Sequence, residues 1–133
     1  MDYYLNYENC INRLVDEWRL HKKIIIAFDY DDTVFDFHNK GRKYNNVISL
    51  LKRCNFAGAY FIVFTCCGED QYDEIYEYLE KNDIPCDKIN ENMDFIKFTG
   101  RKIYYNILLD DRAGLESAYD VLTEAVHRYL KGE

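Results

Sequence analysis

The chain has 133 residues, 48% of them hydrophobic and 31% charged, with a formal net charge of -7. That length predicts one domain, 1–133, large enough to bury a core, and the composition excludes a disordered chain or one with an apolar run long enough to span a bilayer. The acidic balance argues against a broad nucleic-acid-binding surface, yet it is compatible with a small phosphorylated ligand, because carboxylates that hold a divalent cation present local positive potential.

The opening residues, MDYYLNYENC, lack a basic region followed by an apolar run, so the expectation is a cytoplasmic protein without a secretory signal. An N-terminal helix is predicted within residues 1–20, over about 6–18, with Ile11, Leu14, Val15 and Trp18 at helical spacing. The run 24–29, IIIAFD, is too short for a helix and rich in β-branched residues; it reads as a strand buried on both faces. A polar, aromatic stretch over 34–44 follows, with Asn39-Lys40-Gly41 as its turn signal. Val47, Leu50, Leu51 and Cys54 mark the next helix, ended near Gly58.

The alternation then repeats. Residues 59–65, AYFIVFT, form a second buried strand, and 70–81 a helix with Tyr72, Ile75, Tyr76 and Leu79 inward, ended by Asn82 and Pro85. A short strand is expected over 86–89, another over 104–110, and a closing helix carries Leu115, Ala118, Tyr119, Leu122, Val126 and Tyr129. Alternation at these lengths predicts an α/β domain with a mostly parallel central sheet.

Five cysteines, Cys10, Cys54, Cys66, Cys67 and Cys86, are odd in number and contain no C-x-x-C, and His21, His38 and His127 are scattered. The pattern argues against a zinc site and for reduced thiols, with Cys10 and Cys54 read as small buried hydrophobes.

In an open parallel sheet ligands bind beyond the carboxyl ends of the strands. Asp29, Asp31 and Asp32 fall there after the first strand, Thr65 ends the second, and Asp110 and Asp111 follow the last. An isolated acidic pair at a strand end means little. Convergence from three strands means more, since clustered carboxylates repel unless a cation or hydrogen bonds offset the cost. Mg²⁺ takes hard oxygen ligands, commonly one or two carboxylates plus substrate phosphate. A carboxylate beside it can attack phosphorus, and a second carboxyl can protonate the leaving oxygen.

At these residues the sequence resembles the haloacid dehalogenase-like hydrolase superfamily, mainly phosphatases, whose signature is a hydrophobic strand ending D-x-D-x-T; here IIIAFDYDDTV supplies Asp29, Asp31 and Thr33. The resemblance implies a three-layer Rossmann-like fold, Mg²⁺ as cofactor, and a catalytic core over about 23–130. It makes Asp29 the nucleophile and a metal ligand, and Asp31 the general acid/base with its backbone carbonyl on the metal. Thr33 steadies the loop. FIVFT matches the second motif, with Thr65 on the phosphoryl oxygen, and ILLDDR the fourth, with Asp110 as direct ligand and Asp111 acting through water or a second contact layer. The phosphate-binding lysine of the third motif falls on Lys102, with Lys97 the alternate and Lys88 a third choice. Ile103 stands where compact relatives often have proline, and Cys67 where some carry arginine, leaving Arg112 or a lysine for extra anion binding.

No gap between the predicted elements holds a separately folded cap domain, so the resemblance is to the capless class, whose site is open unless a partner subunit of a homo-oligomer covers it. The implied partner is a phosphorylated substrate, either a small molecule or a polynucleotide end, with no membrane involved. The DDR run also resembles the phosphatase domain of bacteriophage polynucleotide kinase, while the acidic charge opposes a nucleic-acid substrate. Phe35, Phe37 and His38, with Asn90 and Asn92, are placed near the mouth. The competing readings are a catalytically inactive protein of the same fold that binds through its open edge, and another phosphotransferase.

Overall fold

The computed structural model describes residues 1–132. Four parallel strands, β1 (Ile25–Asp29), β2 (Tyr60–Phe64), β3 (Lys88–Ile89) and β4 (Ile107–Leu109), form one sheet in the order β3-β2-β1-β4. The helices are α1 (Tyr7–His21), α2 (Asn45–Phe56), α3 (Tyr72–Lys81), entered through a short 3₁₀ turn at Glu69–Gln71, and α4 (Leu115–Lys131). β1 is central because it is the most continuously apolar segment, buried through Phe28 and emerging only at Asp29.

The pleat sends successive side chains to opposite faces. Ile26 and Phe28 of β1, Phe61 and Val63 of β2 and Leu109 of β4 share a core with the buried stripes of all four helices. Trp18 of α1 stacks on Tyr129 of α4, ring centres 4.6 Å apart, and Arg128 bridges the same helices through Glu8 at 2.9 Å. Each large side chain buried here contributes about 1.5–3 kcal/mol of transfer free energy. On the other face Ile25, Ala27 and Ile62 meet Met93, with Ile96, Ile103 and Leu108 packed around them. The third layer is therefore the irregular segment between β3 and β4, not a helix.

The α/β parallel-sheet expectation agrees with this architecture, and its boundaries differ in instructive places. α1 runs on to His21, where Lys22 takes the left-handed conformation that ends it. β3 and β4 are shorter than expected because side chains replace ladder partners. Asn106 accepts from the Ile25 N–H through Oδ1 at 2.6 Å, and Asp87 accepts from the Phe61 N–H at 2.8 Å. Tyr76, expected inward, is 43% exposed, since it sits one residue off the Ile75–Leu79 stripe. Cys54 is buried as expected, whereas Cys10 is half-buried with its Sγ 3.2 Å from the Tyr4 carbonyl. Among the described residues no helix is long and apolar enough to cross a membrane.

Candidate functional site

β1 pairs with β2 on one side and β4 on the other, so the chain's crossovers diverge at its carboxyl end. A crevice opens at such a switch point. Asp29, the last residue of β1, faces it, and Asp110 and Asp111 follow β4 directly.

Backbone hydrogen bonds shape the loop after β1. The Tyr30 N–H donates to the Phe64 carbonyl at 3.0 Å, and the Tyr30 carbonyl accepts from both Val34 and Phe35. Asp32 closes the turn with φ 62, its N–H on the Phe35 carbonyl at 2.8 Å. Aspartate tolerates this left-handed conformation better than most residues. The turn buries Thr33 completely. The Thr33 hydroxyl donates to Asp111 Oδ1 and accepts from the Asp111 N–H, each at 3.2 Å, and so ties the β1 loop to the β4 loop. Asp110 is held separately: its Oδ1 accepts from the Arg112 N–H at 2.9 Å.

These restraints bring one carboxylate oxygen each of Asp29, Asp110 and Asp111 within 4.8 Å of one another. Burial, a hydrogen bond to Asp111 and the charges of Asp110, Asp111 and Asp31 push the Asp29 carboxyl up to about 7. Asp31 is also raised, first by burial and then by Asp32 and Asp111, with His38 acting the other way. Three hard oxygen donors with no cationic side chain paired to them among the described residues fit a divalent cation, which favours their ionised forms. The cluster can hold a metal ion. Asp111, one of the expected metal-site residues, places a carboxylate oxygen within the cluster beside Asp110. The Asp31 side chain lies outside it.

Thr65 comes to the same crevice. A cleft of about 340 Å³ is lined by Asp29, Thr65, Asn90, Ile103 and Asp110. Thr65 is clamped by Asn90, whose Oδ1 accepts from the Thr65 N–H at 3.0 Å and whose Nδ2 donates to the Thr65 carbonyl at 2.7 Å. The Thr65 Oγ1 accepts from the Cys67 N–H at 3.1 Å. Asn90 has φ 56 and its Nδ2 also reaches the Tyr72 hydroxyl at 3.2 Å. Sequence reasoning treated Asn90 as a loop residue at the mouth; its signal was an amide directly after a strand.

The lysines are less fixed. Lys102 is exposed and adjoins Ile103 of the cleft, with no hydrogen bond or ion pair among the described residues. Lys97 donates to the Asp94 carbonyl at 3.2 Å, and Lys88 pairs with Asp94 at 3.0 Å, so both are engaged within the β3–β4 connection. His38 Nδ1 lies 3.0 Å from Asp32 Oδ2, a pairing that sequence reasoning missed.

No family model matches the chain, and no curated protein matches it. Among solved structures it is similar to a conserved protein from Bacteroides thetaiotaomicron, with a TM-score of 0.61 at 20% identity over 77% of this chain and 91% of that one. At that identity the likeness concerns the fold: a small α/β domain with a four-stranded parallel sheet flanked by helices.

Proposed function

We propose that the chain is a Mg²⁺-dependent phosphatase of the capless haloacid dehalogenase-like class, hydrolysing phosphate monoesters through an aspartyl-phosphate. The observation that carries this reading is the convergence of the Asp29, Asp110 and Asp111 carboxylates within 4.8 Å at the carboxyl ends of β1 and β4. The order of Asp29, Asp31, Thr65 and Asp110-Asp111 along the chain and the clamped Thr65 beside the cluster support it further. Asp29, Asp110 and Asp111 would hold the cation, with the Asp31 backbone carbonyl as a further oxygen. Bound there, Mg²⁺ supplies a Lewis acid that neutralises charge on the phosphoryl oxygens.

Asp29 attacks phosphorus with one carboxylate oxygen, and the ester P–O bond breaks. Asp31 gives its proton to the leaving oxygen, so the alcohol departs neutral. Asp31, now ionised, takes a proton from water as that water attacks phosphorus, the P–O bond to Asp29 breaks, and inorganic phosphate leaves. The raised position of the Asp31 carboxyl suits this double task. Thr65 donates its hydroxyl proton to a phosphoryl oxygen while its Oγ1 accepts from Cys67, and Lys102 is the cation nearest in sequence to the cleft lining. In the proposed capless assignment, water is excluded from the site by the substrate itself or by a second copy of the chain.

The test is turnover of p-nitrophenyl phosphate by the purified protein. Hydrolysis that requires Mg²⁺ and is lost in Asp29→Asn is the expected result. Metal-dependent turnover undiminished by that substitution would remove Asp29 as the nucleophile. Mg²⁺ binding without any turnover would leave a metal-binding protein of this fold.

A further inference from the structure

The strand-end segments that carry the carboxylate cluster have a second side. Asp29, Thr65 and Cys66 face the metal-site cleft, whereas Tyr30, Asp31 and Cys67 face a groove of about 420 Å³ running along α3. Asp31, the proposed donor to the leaving oxygen, thus opens onto a different cavity from Asp29, the proposed nucleophile. A leaving group protonated by Asp31 must lie toward that groove.

One wall of the groove is a fixed aromatic block. Tyr30 and Phe35 stack with centres 4.9 Å apart and planes 9° from parallel, and Tyr78 meets both edge-on at 5.8 and 5.0 Å. The Tyr78 hydroxyl donates to the Val34 carbonyl at 2.8 Å, which locks the ring of α3 to the β1 loop. Phe37, 58% exposed, adds a further ring to the mouth, set edge-to-face against His38 at 5.1 Å. The charged lining is acidic: Glu74 and Glu77 against Lys81 alone, beside Asp31, which carries the proton it donates. Glu74 and Glu77 are exposed on α3 and line the groove together with the rings. Aromatic rings beside carboxylates that make no ion pair among the described residues are the combination that recognises an organic ammonium group, through ring quadrupoles and charge together. The same charges repel a polyanion.

We infer that this groove is the leaving-group site and selects phosphate monoesters of small alcohols bearing an ammonium group, disfavouring phosphorylated polynucleotide ends. The inference rests on the phosphatase reading for its chemistry, since the proton from Asp31 goes to the ester oxygen of the departing amino alcohol. It does not rest on that reading for its recognition, which belongs to Phe35, Phe37, Glu74 and Glu77.

The experiment compares 2-aminoethyl phosphate with propyl phosphate, in which a methyl group replaces the ammonium, and with a 5′-phosphorylated oligonucleotide, all with Mg²⁺. Wild type should favour the aminoethyl ester over the propyl ester about tenfold in kcat/KM, with the oligonucleotide below both. In the Glu74→Gln/Glu77→Gln double variant the aminoethyl-to-propyl ratio should fall toward one. A wild-type ratio near one, a ratio retained in the double variant, or an oligonucleotide preferred to the aminoethyl ester would overturn the inference. Calorimetry of the two small esters on Asp29→Asn, with and without the two glutamine substitutions, reads the same preference in the absence of turnover. If no ester is hydrolysed, p-nitrophenyl phosphate included, the phosphatase reading fails by itself. The calorimetric ratio then decides the groove: tighter aminoethyl binding that depends on Glu74 and Glu77 upholds it, and equal binding or none refutes it.

Discussion

Replacing Asp29 by asparagine should stabilise the metal-free protein, by an amount that grows as pH rises between 3.8 and about 7. Burial first, and then its neighbours Asp111, Asp110 and Asp31, raise the Asp29 carboxyl from 3.8 to about 7. Between those values the folded chain binds more protons than the unfolded one, so stability falls as pH rises through that window and the loss is complete above about 7. Read without screening, the shift is worth about 4 kcal/mol. Asp29 is only half-buried, and solvent screening reduces the expected effect to about 1–2 kcal/mol. Asparagine keeps the volume and can still donate to Asp111, as the protonated acid does, but carries no charge at any pH.

Urea denaturation with a chelator present, at pH 5 and at pH 8, measures this directly. For a slope near 2 kcal/mol/M the Asp29→Asn midpoint should lie about 0.5–1 M above wild type at pH 8, with roughly 40% of that gap at pH 5. Mg²⁺ should reverse the order, because a ligand that binds only the folded state adds stability and wild type keeps the full ligand set. A gap of equal size at both pH values, or a variant less stable than wild type at pH 8 without metal, would refute the idea that burial and crowding of this carboxylate store the energy.

Thr33→Val keeps the buried shape and deletes both bonds to Asp111; it should cost about 1–2 kcal/mol in urea and weaken Mg²⁺ binding by calorimetry. Asn90→Ala removes the clamp on Thr65 and the bond to Tyr72 and puts alanine at φ 56, whereas Asn90→Gly removes the same bonds without that backbone cost. The glycine variant should fall by about 1–3 kcal/mol and the alanine variant by about 1 more, read from thermal or urea unfolding. Asp31→Asn should slow an alkyl phosphate by about 10²–10⁴-fold and p-nitrophenyl phosphate much less, because the nitrophenolate needs little protonation. Equal losses on the two esters would move the acid role away from Asp31.

The fold was legible where hydrophobic pattern alone decides structure. The unbroken run of 24–29 could only be an interior strand, and the stripes of α1, α2 and α4 lie where the 3.6-residue period puts them. Legibility failed where a side chain does the work of a backbone. Nothing in the period of 104–110 announces that the Asn106 amide will take over the pairing of Ile25. The carboxylate cluster was legible because parallel strands must deliver their ends to one edge of the sheet. The Thr33–Asp111 tie joins residues 78 positions apart and depends on a turn whose closure appears only in three dimensions. Lys102 lies in an irregular connection with no period to constrain it, and its neighbour Ile103, not the lysine itself, lines the cleft.

Side-chain mimicry also explains how a sheet with two very short outer strands can hold a site to fixed geometry. β3 offers two ladder residues and β4 three, too few for main-chain pairing to define the loops beyond them. Each loop is tied down by a polar side chain at a strand margin instead. Asp87 fastens the start of β3 to Phe61, Asn90 fastens its end to Thr65, and Asn106 fastens the start of β4 to Ile25. Two of these hold the amino edge, away from the chemistry, and one stands beside the cluster. A carboxylate site gains from this arrangement, because repulsion among Asp29, Asp110 and Asp111 pushes β1 and β4 apart at the edge where their ladder has ended. Thr33 resists that push at the carboxyl end and Asn106 at the amino end. Loosening Asn106 should therefore be felt at the metal site on the opposite edge of the same strand pair. Asn106→Leu, which preserves bulk but leaves the Ile25 N–H without its partner, tests this: a weakened Mg²⁺ affinity alongside about 1–3 kcal/mol of lost stability is expected, and unchanged affinity would mean that β1 and β4 are held at the site by Thr33 alone.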